Sequence, residues 1–273
     1  MGANVCILQS KAQKAKLKVL EMCVKARLGH LTTAYSCTEI LAVLYYEVMN
    51  HDPKNPKDPA RDRFVMSKNH GSLMLYPILA DLGYCEESEL ETFMQNGTRM
   101  GGHSKLTLPG IEFAGGSLGI GFGVGAGMAY ADKMDKQGNI TFVLIGDGEC
   151  YEGSIWEAAM FASHNRLSNL VAIVDRNRLC VTDFTEQMLK LEPLAEKWRS
   201  FGWEAVEIDG HSVAELCVSF ENIRNKKKPY VIIANTTKGN GIDFMSDAPL
   251  YHGLAPQGGE IERAFKQVKG GMA

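Results

Sequence analysis

The sequence lacks the features that mark membrane, secreted, zinc-binding and nucleic-acid-binding proteins. No apolar run approaches the length of a membrane span, and residues 1–9 lack the basic start and apolar core of a signal peptide. The seven cysteines include no CxxC pair, which argues against a zinc site or a disulfide framework. A formal net charge of −3 gives no reason to expect a nucleic acid or an anionic membrane as partner. We therefore expect a cytoplasmic protein with reduced thiols.

The pattern of apolar residues indicates one domain of alternating strands and helices. Residues 1–273 contain no internal repeat or low-complexity linker and are long enough for a single α/β domain with a large core. Strands are predicted at 63–67, 140–145, 170–174, 203–208 and 230–236. Helices are predicted at 10–28, 37–49, 73–82, 86–94, 118–134, 154–165, 188–201 and 260–269, and after Ser212. The helix at 188–201 is expected to be kinked or to start afresh near Pro193. This alternation predicts an α/β fold with an open, mainly parallel sheet and helices on both faces.

Two helix starts carry more specific expectations. Ser36 and Glu39 have the spacing of a capping box, so we expect Ser36 to cap helix 37–49 and residues 29–33 to form a loop. Helix 118–134 has glycine at every second position from 119 to 127, which favours close packing against another element or subunit. Part of this run also fits a dinucleotide-binding fingerprint, but that motif requires a preceding strand and none is predicted.

The clearest sign of a binding site follows two apolar strands. Strand 140–145 ends in a Gly-Asp-Gly turn that contains Asp147, and strand 170–174 is followed by Asp175 and Asn177. A βαβ crossover would bring Asp147 and Asn177 together at the carboxyl edge of the sheet, where open α/β sheets bind ligands. Such oxygen donors suit a hard divalent cation that also binds water and phosphate. The alternative is that Asp147 only caps the next helix.

The spacing of this motif carries a resemblance to a known family. The Gly-Asp-Gly turn is followed after 28 residues by Asn177, which resembles the thiamine-diphosphate signature. The segments GDGE, EGSIWEA and LVAIVDRNRL are specifically similar to transketolases. The resemblance implies the diphosphate-binding domain of the thiamine-diphosphate fold, with Mg²⁺ (or Ca²⁺ or Mn²⁺) held by Asp147, Asn177 and the backbone carbonyl of Leu179. It also implies that Gly148 lets the backbone approach the diphosphate.

Five of the seven histidines are next to a glycine, which brings an imidazole close to a ligand with little steric bulk. A lone histidine is more often a surface or core residue, but repeated Gly-His loops favour a site that holds hydroxyl and carbonyl oxygens and moves protons. The resemblance implies that His30 reaches substrate oxygens and that His103 contacts the reacting carbons. It also implies that His70 and His252 contact both cofactor and substrate. His211 corresponds to a turn, and we assign it no chemistry.

The resemblance extends to further residues around the cofactor. Gly116 and Leu118 correspond to positions beside the aminopyrimidine ring, and Lys238 corresponds to a lysine near the cofactor. A solvated loop lysine is the alternative for Lys238. Glu152 and Glu157 correspond to an acidic network between two active sites, although carboxylates near a helix start are also favoured by the helix dipole.

Four positions depart from the family pattern. Asn69 replaces the usual Gly before His70, and Gly71 replaces the usual Ala. Leu31 stands where Pro is common, and Tyr251 replaces Trp. None of these changes removes a functional group, so we expect cofactor binding to remain while substrate preference could shift.

The resemblance implies transfer of a two-carbon ketol unit from a ketose to an aldose, with a sugar phosphate as substrate. In the family, the glutamate that activates the aminopyrimidine lies in the next domain, which we expect this chain to lack. A second polypeptide would then supply the pyrimidine-binding domain, in an assembly of two copies of each chain. The sequence does not decide whether the substrate is an ordinary pentose phosphate or a branched or unusual sugar.

Two other functions remain open from the sequence. One is the α-chain of a 2-oxo acid dehydrogenase, whose motif usually has paired Asn where this chain has Arg176 and Asn177. The other is a non-catalytic subunit that keeps the fold without the chemistry. The candidate ligands and histidines are intact, which argues against the second alternative.

Overall fold

The computed structural model describes residues 2–271 and is built on one five-stranded sheet. Its strands are β1 (Arg63–Met66), β2 (Thr141–Gly146), β3 (Leu170–Arg176), β6 (Glu204–Asp209) and β7 (Tyr230–Asn235). They lie in the order β1-β2-β3-β7-β6, and every neighbouring pair is parallel. The strands β4 (Leu179–Cys180) and β5 (Asp183–Phe184) form a separate antiparallel ribbon. The predicted α/β sheet is therefore confirmed.

Ten α-helices are assigned within residues 2–271. They are α1 (Gly2–Ala26), α2 (Leu31–Ser36), α3 (Thr38–Val43), α4 (Leu75–Leu82), α5 (Ile120–Met134), α6 (Gly153–His164), α7 (Thr185–Met188), α8 (Leu194–Ser200), α9 (Val213–Phe220) and α10 (Gly259–Gly270). Short 3₁₀ helices at Asn69–Met74 and Gly148–Tyr151 follow β1 and β2. None of these helices is long and apolar enough to cross a membrane.

The sheet is covered on both faces because its central strands are apolar on both sides. In β2, Phe142 and Leu144 belong to one core with residues of α1, α3, α4, α9 and α10. Val143 and Ile145 point the other way, into a second core with α5, α6 and α8. Successive side chains of a strand point to opposite faces, so an uninterrupted apolar strand fits a buried parallel sheet.

Helix α5 lies close to the sheet because it carries glycine at the points of contact. A methyl group at Gly121 would lie 2.7 Å from Ser67 Oγ, and one at Gly125 would overlap Val143 Cγ2. No strand lies between β1 and α5, so the setting of a dinucleotide-binding turn is missing. The glycine run thus serves close packing of helix on sheet.

The expectations for residues 29–39 are wrong in part. Helix α2 begins at Leu31, where a loop was predicted, and Cys37 separates it from α3 without a side-chain cap. Ser36 Oγ instead donates to Asp175 Oδ2 at 2.6 Å. A capping box is a local interaction, and here a buried carboxylate distant in sequence takes the hydroxyl. At α9, by contrast, Ser212 is the N-cap and accepts from the backbone N–H of Glu215.

Candidate active site

A cavity of about 220 Å³ opens at the carboxyl edge of β2 and β3. Every residue that the sequence suggested for catalysis, cofactor binding or metal binding contributes to its lining. These residues are His30, His70, His103, Gly116, Leu118, Asp147, Gly148, Asn177, Leu179, Lys238 and His252. They come from loops spread over most of the chain, and the parallel sheet brings them together.

Asp147 lies at the floor of the cavity and is almost completely buried. Its Oδ1 accepts from the backbone N–H of Gly148 at 2.7 Å, so it caps the short turn after β2. Its Oδ2 accepts from the backbone N–H of Arg178 at 2.6 Å and from Arg176 Nη1 at 3.0 Å. Burial raises the pKa of the Asp147 carboxyl, and the Arg176 guanidinium opposes that rise. Oδ1 accepts a single hydrogen bond and so keeps a lone pair for a ligand while it caps the turn.

Asn177 is oriented by its neighbours at the same edge. Its amide nitrogen donates to Asp175 Oδ2 at 3.1 Å, and its amide oxygen accepts from the backbone N–H of Leu179 at 3.1 Å. With Asp147, the cavity thus offers a carboxylate and an amide oxygen beside the Leu179 backbone. Within residues 2–271, no group of three or more His, Cys, Asp or Glu side chains could hold a metal. The donor set fits Mg²⁺, which takes few protein ligands and completes its octahedron with water and phosphate oxygens.

Four imidazoles form a cluster in the cavity wall. The ring centroid of His30 lies 5.5 Å from that of His70, 5.9 Å from that of His103 and 5.2 Å from that of His252. The centroids of His70 and His252 are 5.4 Å apart. The fold therefore brings together the four histidines that the Gly-His loops singled out.

Burial keeps three of these rings neutral. It lowers the pKa of His30, with help from His103 and Lys238, and it lowers the pKa of His70 well below its usual value. Burial, with Lys238 close by, lowers the pKa of His252 to about 4. At neutral pH each of these rings has one N–H donor and one nitrogen acceptor. Such rings can hold hydroxyl and carbonyl oxygens and accept a proton from them.

Lys238 is a buried cation beside this cluster, so the description as a solvated loop lysine does not fit. Its side chain is 4% exposed, and its Nζ lies 2.9 Å from His252 Nδ1. Burial and the nearby Lys68 ammonium lower the pKa of Lys238 to about 8. A cation kept in a pocket with neutral histidines favours an anionic ligand such as a phosphate group.

Two charged residues of the lining, Lys68 and Glu149, were not singled out from the sequence. Lys68 is completely buried and forms an ion pair with Asp175, and its Nζ also donates to the carbonyl of Thr33 at 3.0 Å. Glu149 accepts from the backbone N–H groups of Gly119 and Gly146 at 2.8 and 3.1 Å, and from Ser67. Lys68 lies beside the predicted His70, and Glu149 directly follows the Gly-Asp-Gly turn. Neither was predicted, because a single Lys or Glu carries no sign in the sequence that its side chain is buried.

Three other predicted positions lie outside the cavity. Glu152 and Glu157 are exposed at the beginning and in the middle of α6, and Glu152 makes no side-chain capping bond. His211 Nδ1 lies 2.9 Å from Glu39 Oε2, and His211 Nε2 accepts from the backbone N–H of Thr237 at 2.9 Å. These contacts agree with a turn-forming role for His211.

Comparison with known proteins identifies the family. Residues 8–271 match the family described as transketolase, thiamine diphosphate binding domain. The chain is 40% identical to one of the subunits of the apulose-4-phosphate transketolase of Phocaeicola vulgatus, over 96% of its length and 93% of the relative. It is 41% identical to a 6-deoxy-6-sulfo-D-fructose transketolase subunit of Clostridium sp., over 90% of each chain.

Full-length transketolases match over the same residues but are longer. The chain is 39% identical to Homo sapiens transketolase over 96% of its length, which is 42% of that protein. The crystal structure of transketolase from Campylobacter jejuni superposes with a TM-score of 0.90 at 30% identity, over 97% of this chain and 43% of that one. The chain belongs to the transketolase family and corresponds to its thiamine diphosphate binding domain.

Proposed function

We propose that this chain is the amino-terminal subunit of a two-chain transketolase, which moves a two-carbon ketol unit from a ketose to an aldose. The single observation that carries the proposal is the cavity in which four histidines face Asp147 and Asn177. The family membership, which disfavours a 2-oxo acid dehydrogenase, points in the same direction. A non-catalytic subunit would have no need for three half-buried, neutral imidazoles beside a buried cation.

Thiamine diphosphate and Mg²⁺ are the cofactors in this proposal. Asp147, Asn177 and the Leu179 carbonyl would hold the metal. His70, Gly148, Asn177, Lys238 and His252 would contact the diphosphate end of the cofactor, and Gly116 and Leu118 would lie beside its aminopyrimidine ring. Gly148 fits this role because a methyl group there would lie 3.2 Å from Cys180 Sγ, so the turn is already tight. When bound, thiamine diphosphate supplies the electron sink for cleavage of a carbon–carbon bond next to a carbonyl.

The chain's own residues orient the sugar and move protons. His30 would donate to and accept from the donor's oxygens, because a neutral ring does both. His103 would form a further hydrogen bond to the donor. His70 and His252 would take up and return protons during bond cleavage and formation. Protonated Lys238 beside His252 would stabilise negative charge on the phosphate groups.

A second polypeptide completes the enzyme in this proposal. Three relatives of similar length are named as subunits of transketolases, which implies a partner chain. We treat residues 1–273 as one diphosphate-binding domain, with the pyrimidine-binding domain and the activating glutamate on the partner, in an assembly of two copies of each chain.

An exposed apolar face near Glu152 and Glu157 supports this assembly. Helices α5 and α6 leave several large apolar side chains exposed, namely Ile120, Tyr130, Met134, Met160 and Phe161. Groups of this kind are usually covered by another chain. The acidic pair would then lie at the interface between chains.

The substrates in this proposal are sugars that carry a phosphate or another acidic group. The relatives are named for apulose-4-phosphate and for 6-deoxy-6-sulfo-D-fructose, which are unusual sugars with an acidic group. We extend only that class, an acidic ketose, to this chain. We also place the protein in the cytoplasm, because all seven of its cysteines are free thiols.

The metal assignment is tested on the complex purified from native cells through a tag on this chain. Calorimetry should show that Asp147→Ala weakens Mg²⁺-dependent binding of thiamine diphosphate by at least about 100-fold. The control is Asp135→Ala, which removes an exposed carboxylate at the end of α5. Unchanged cofactor affinity in Asp147→Ala would show that the metal assignment is wrong. Mass identification of stoichiometric partners in the same preparation tests the two-chain assembly.

A further inference from the structure

We propose that Asn69 is a positioning residue that ties the loop of His103 to the loop of His70 and so sets the rate of ketol transfer. The inference rests on the function proposed above for the two imidazoles. Asn69 does not line the cavity, so it acts through its neighbours and not by touching substrate.

The side chain of Asn69 is completely buried and fully bonded. Its Oδ1 accepts from the backbone N–H of Ser104 at 2.8 Å and from Ser72 Oγ at 3.2 Å. Its Nδ2 donates to Ser104 Oγ at 2.9 Å and to the carbonyl of Met66 at 3.4 Å. A buried amide with all its groups satisfied fixes both segments that it joins.

The two segments joined by this amide carry catalytic candidates. Asn69 immediately precedes His70, and Ser104 immediately follows His103, so each bonded residue is one position from an imidazole. Residues 97–119 contain no helix or strand, so few backbone bonds fix His103. On the other side of His103, the carbonyl of Gly101 accepts from the Tyr76 hydroxyl at 2.8 Å. The double contact to Ser104 is therefore the nearest fixed point for His103.

The second departure from the family pattern in this segment, Gly71, lies against Lys68. A methyl group at Gly71 would lie 3.0 Å from Lys68 Cε and 3.5 Å from Met66 Sδ. In the Asn69–Met74 turn, the backbone N–H of Gly71 donates to the carbonyl of Lys68 at 2.8 Å. Gly71 therefore leaves space for the buried Lys68 stem. A glycine at 69 could make none of the four side-chain bonds.

The test compares Asn69→Ala with Asn139→Ala in the complex of the full chain with its co-purified partner. Asn139 is a second buried asparagine, and its amide donates to the carbonyl of Pro59 at 2.7 Å, before the amino end of β2. We expect Asn69→Ala to lower kcat by about 10- to 100-fold with a smaller change in KM, because displacement of a catalytic group by about 1 Å costs that much. Asn139→Ala should leave kcat unchanged. Equal kcat in Asn69→Ala and wild type would overturn the proposal, as would an equal loss in both variants.

A second readout does not depend on ketol transfer. With ¹³C-labelled histidine, Asn69→Ala should shift the His103 resonance and leave those of His51 and His211 in place, since both are held by other contacts. If the wild-type complex transfers no ketol unit but the His103 resonance shifts in Asn69→Ala, the proposed function is wrong while the positioning role of Asn69 is supported. If the His103 resonance does not shift, the positioning role of Asn69 is refuted. Should Asn69→Ala not fold, Ser104→Ala, which removes one of the two contacts, should shift the same resonance, and an unmoved resonance would refute the proposal.

Discussion

Replacing Lys238 by methionine should stabilise the chain and weaken its binding of diphosphate. Lys238 is held in a buried position beside His252 and near the ammonium of Lys68, and its pKa falls from an ordinary 10.5 to about 8. Burying a charge without an anionic partner costs free energy. Lys238→Met keeps most of the volume of the side chain and removes the charge.

The size of the effect follows from the pKa of Lys238. A fall from 10.5 to about 8 corresponds to about 3 kcal/mol, at about 1.4 kcal/mol for each pH unit. The variant also loses the hydrogen bond between Lys238 and His252, which reduces this gain in stability by about 1 kcal/mol. We therefore expect Lys238→Met to raise the free energy of unfolding by about 2 kcal/mol at pH 7 in the absence of ligand.

The sign of the pH dependence also follows. Below pH 8 the lysine is charged in both the folded and the unfolded chain, so the full cost of burial is present. Between about pH 8 and 10.5 the unfolded chain binds one proton more than the folded chain, so wild-type stability rises with pH. The advantage of Lys238→Met should therefore shrink over this range and vanish at about pH 9.5. At the upper end of the range the variant should be less stable than wild type by about 1 kcal/mol, the value of the lost hydrogen bond to His252.

Urea unfolding of the isolated chain measures both quantities. Tryptophan fluorescence is a suitable signal because the rings of Trp156, Trp198 and Trp203 pack together in the core, with centroids 5.3 and 5.0 Å apart. Inorganic diphosphate with Mg²⁺ should stabilise wild type more than Lys238→Met. A variant that is no more stable than wild type at pH 7, or a difference that does not change with pH, would refute the reasoning.

Two further predictions concern packing and charge around the same cavity. Lys68→Met should lower the free energy of unfolding at pH 7 by about 3–5 kcal/mol in a urea titration, because it leaves Asp175 buried without its cation. The double variant Lys68→Met/Asp175→Asn should lose less than the sum of the single losses, and additive losses would contradict the pairing. Gly121→Ala should lower the melting temperature, because a methyl group there meets Ser67 at less than 3 Å. Gly123→Ala, where the methyl group meets nothing within 4 Å, should raise the melting temperature of the isolated chain slightly, and equal effects of the two changes would be inconsistent with this packing.

The sheet and the position of the cavity were predictable from local patterns. Apolar strands that end in Asp147 and beside Asn177 identify the carboxyl edge, and parallel pairing of β2 and β3 brings these residues together. The histidines could be selected because glycine marks the loops that approach a ligand. The apolar strands with their polar ends and the Gly-His loops are each recognised from a few consecutive residues, so they can be found without knowledge of the fold.

The remaining features depend on contacts between distant segments. Ser36 looks like a helix cap in sequence, but its hydroxyl bonds to Asp175 in the fold. Lys68 looks like a surface lysine until that same carboxylate is seen to pair with it. Asn69 could be noticed as a departure from a family pattern, but its bonds to Ser104 cross 35 residues. No local rule predicts which buried group a polar side chain will meet.

The most direct test of the two-chain account is the rate of ketol transfer by this chain alone, by its co-purified partner alone and by the two together. Each sample is given a panel of acidic ketose donors with an aldose acceptor, thiamine diphosphate and Mg²⁺. We predict turnover only in the mixture, with loss of activity when Asp147→Ala replaces the wild-type chain. Turnover by this chain alone at the rate of the mixture, or no turnover by the mixture with any donor, would contradict the account.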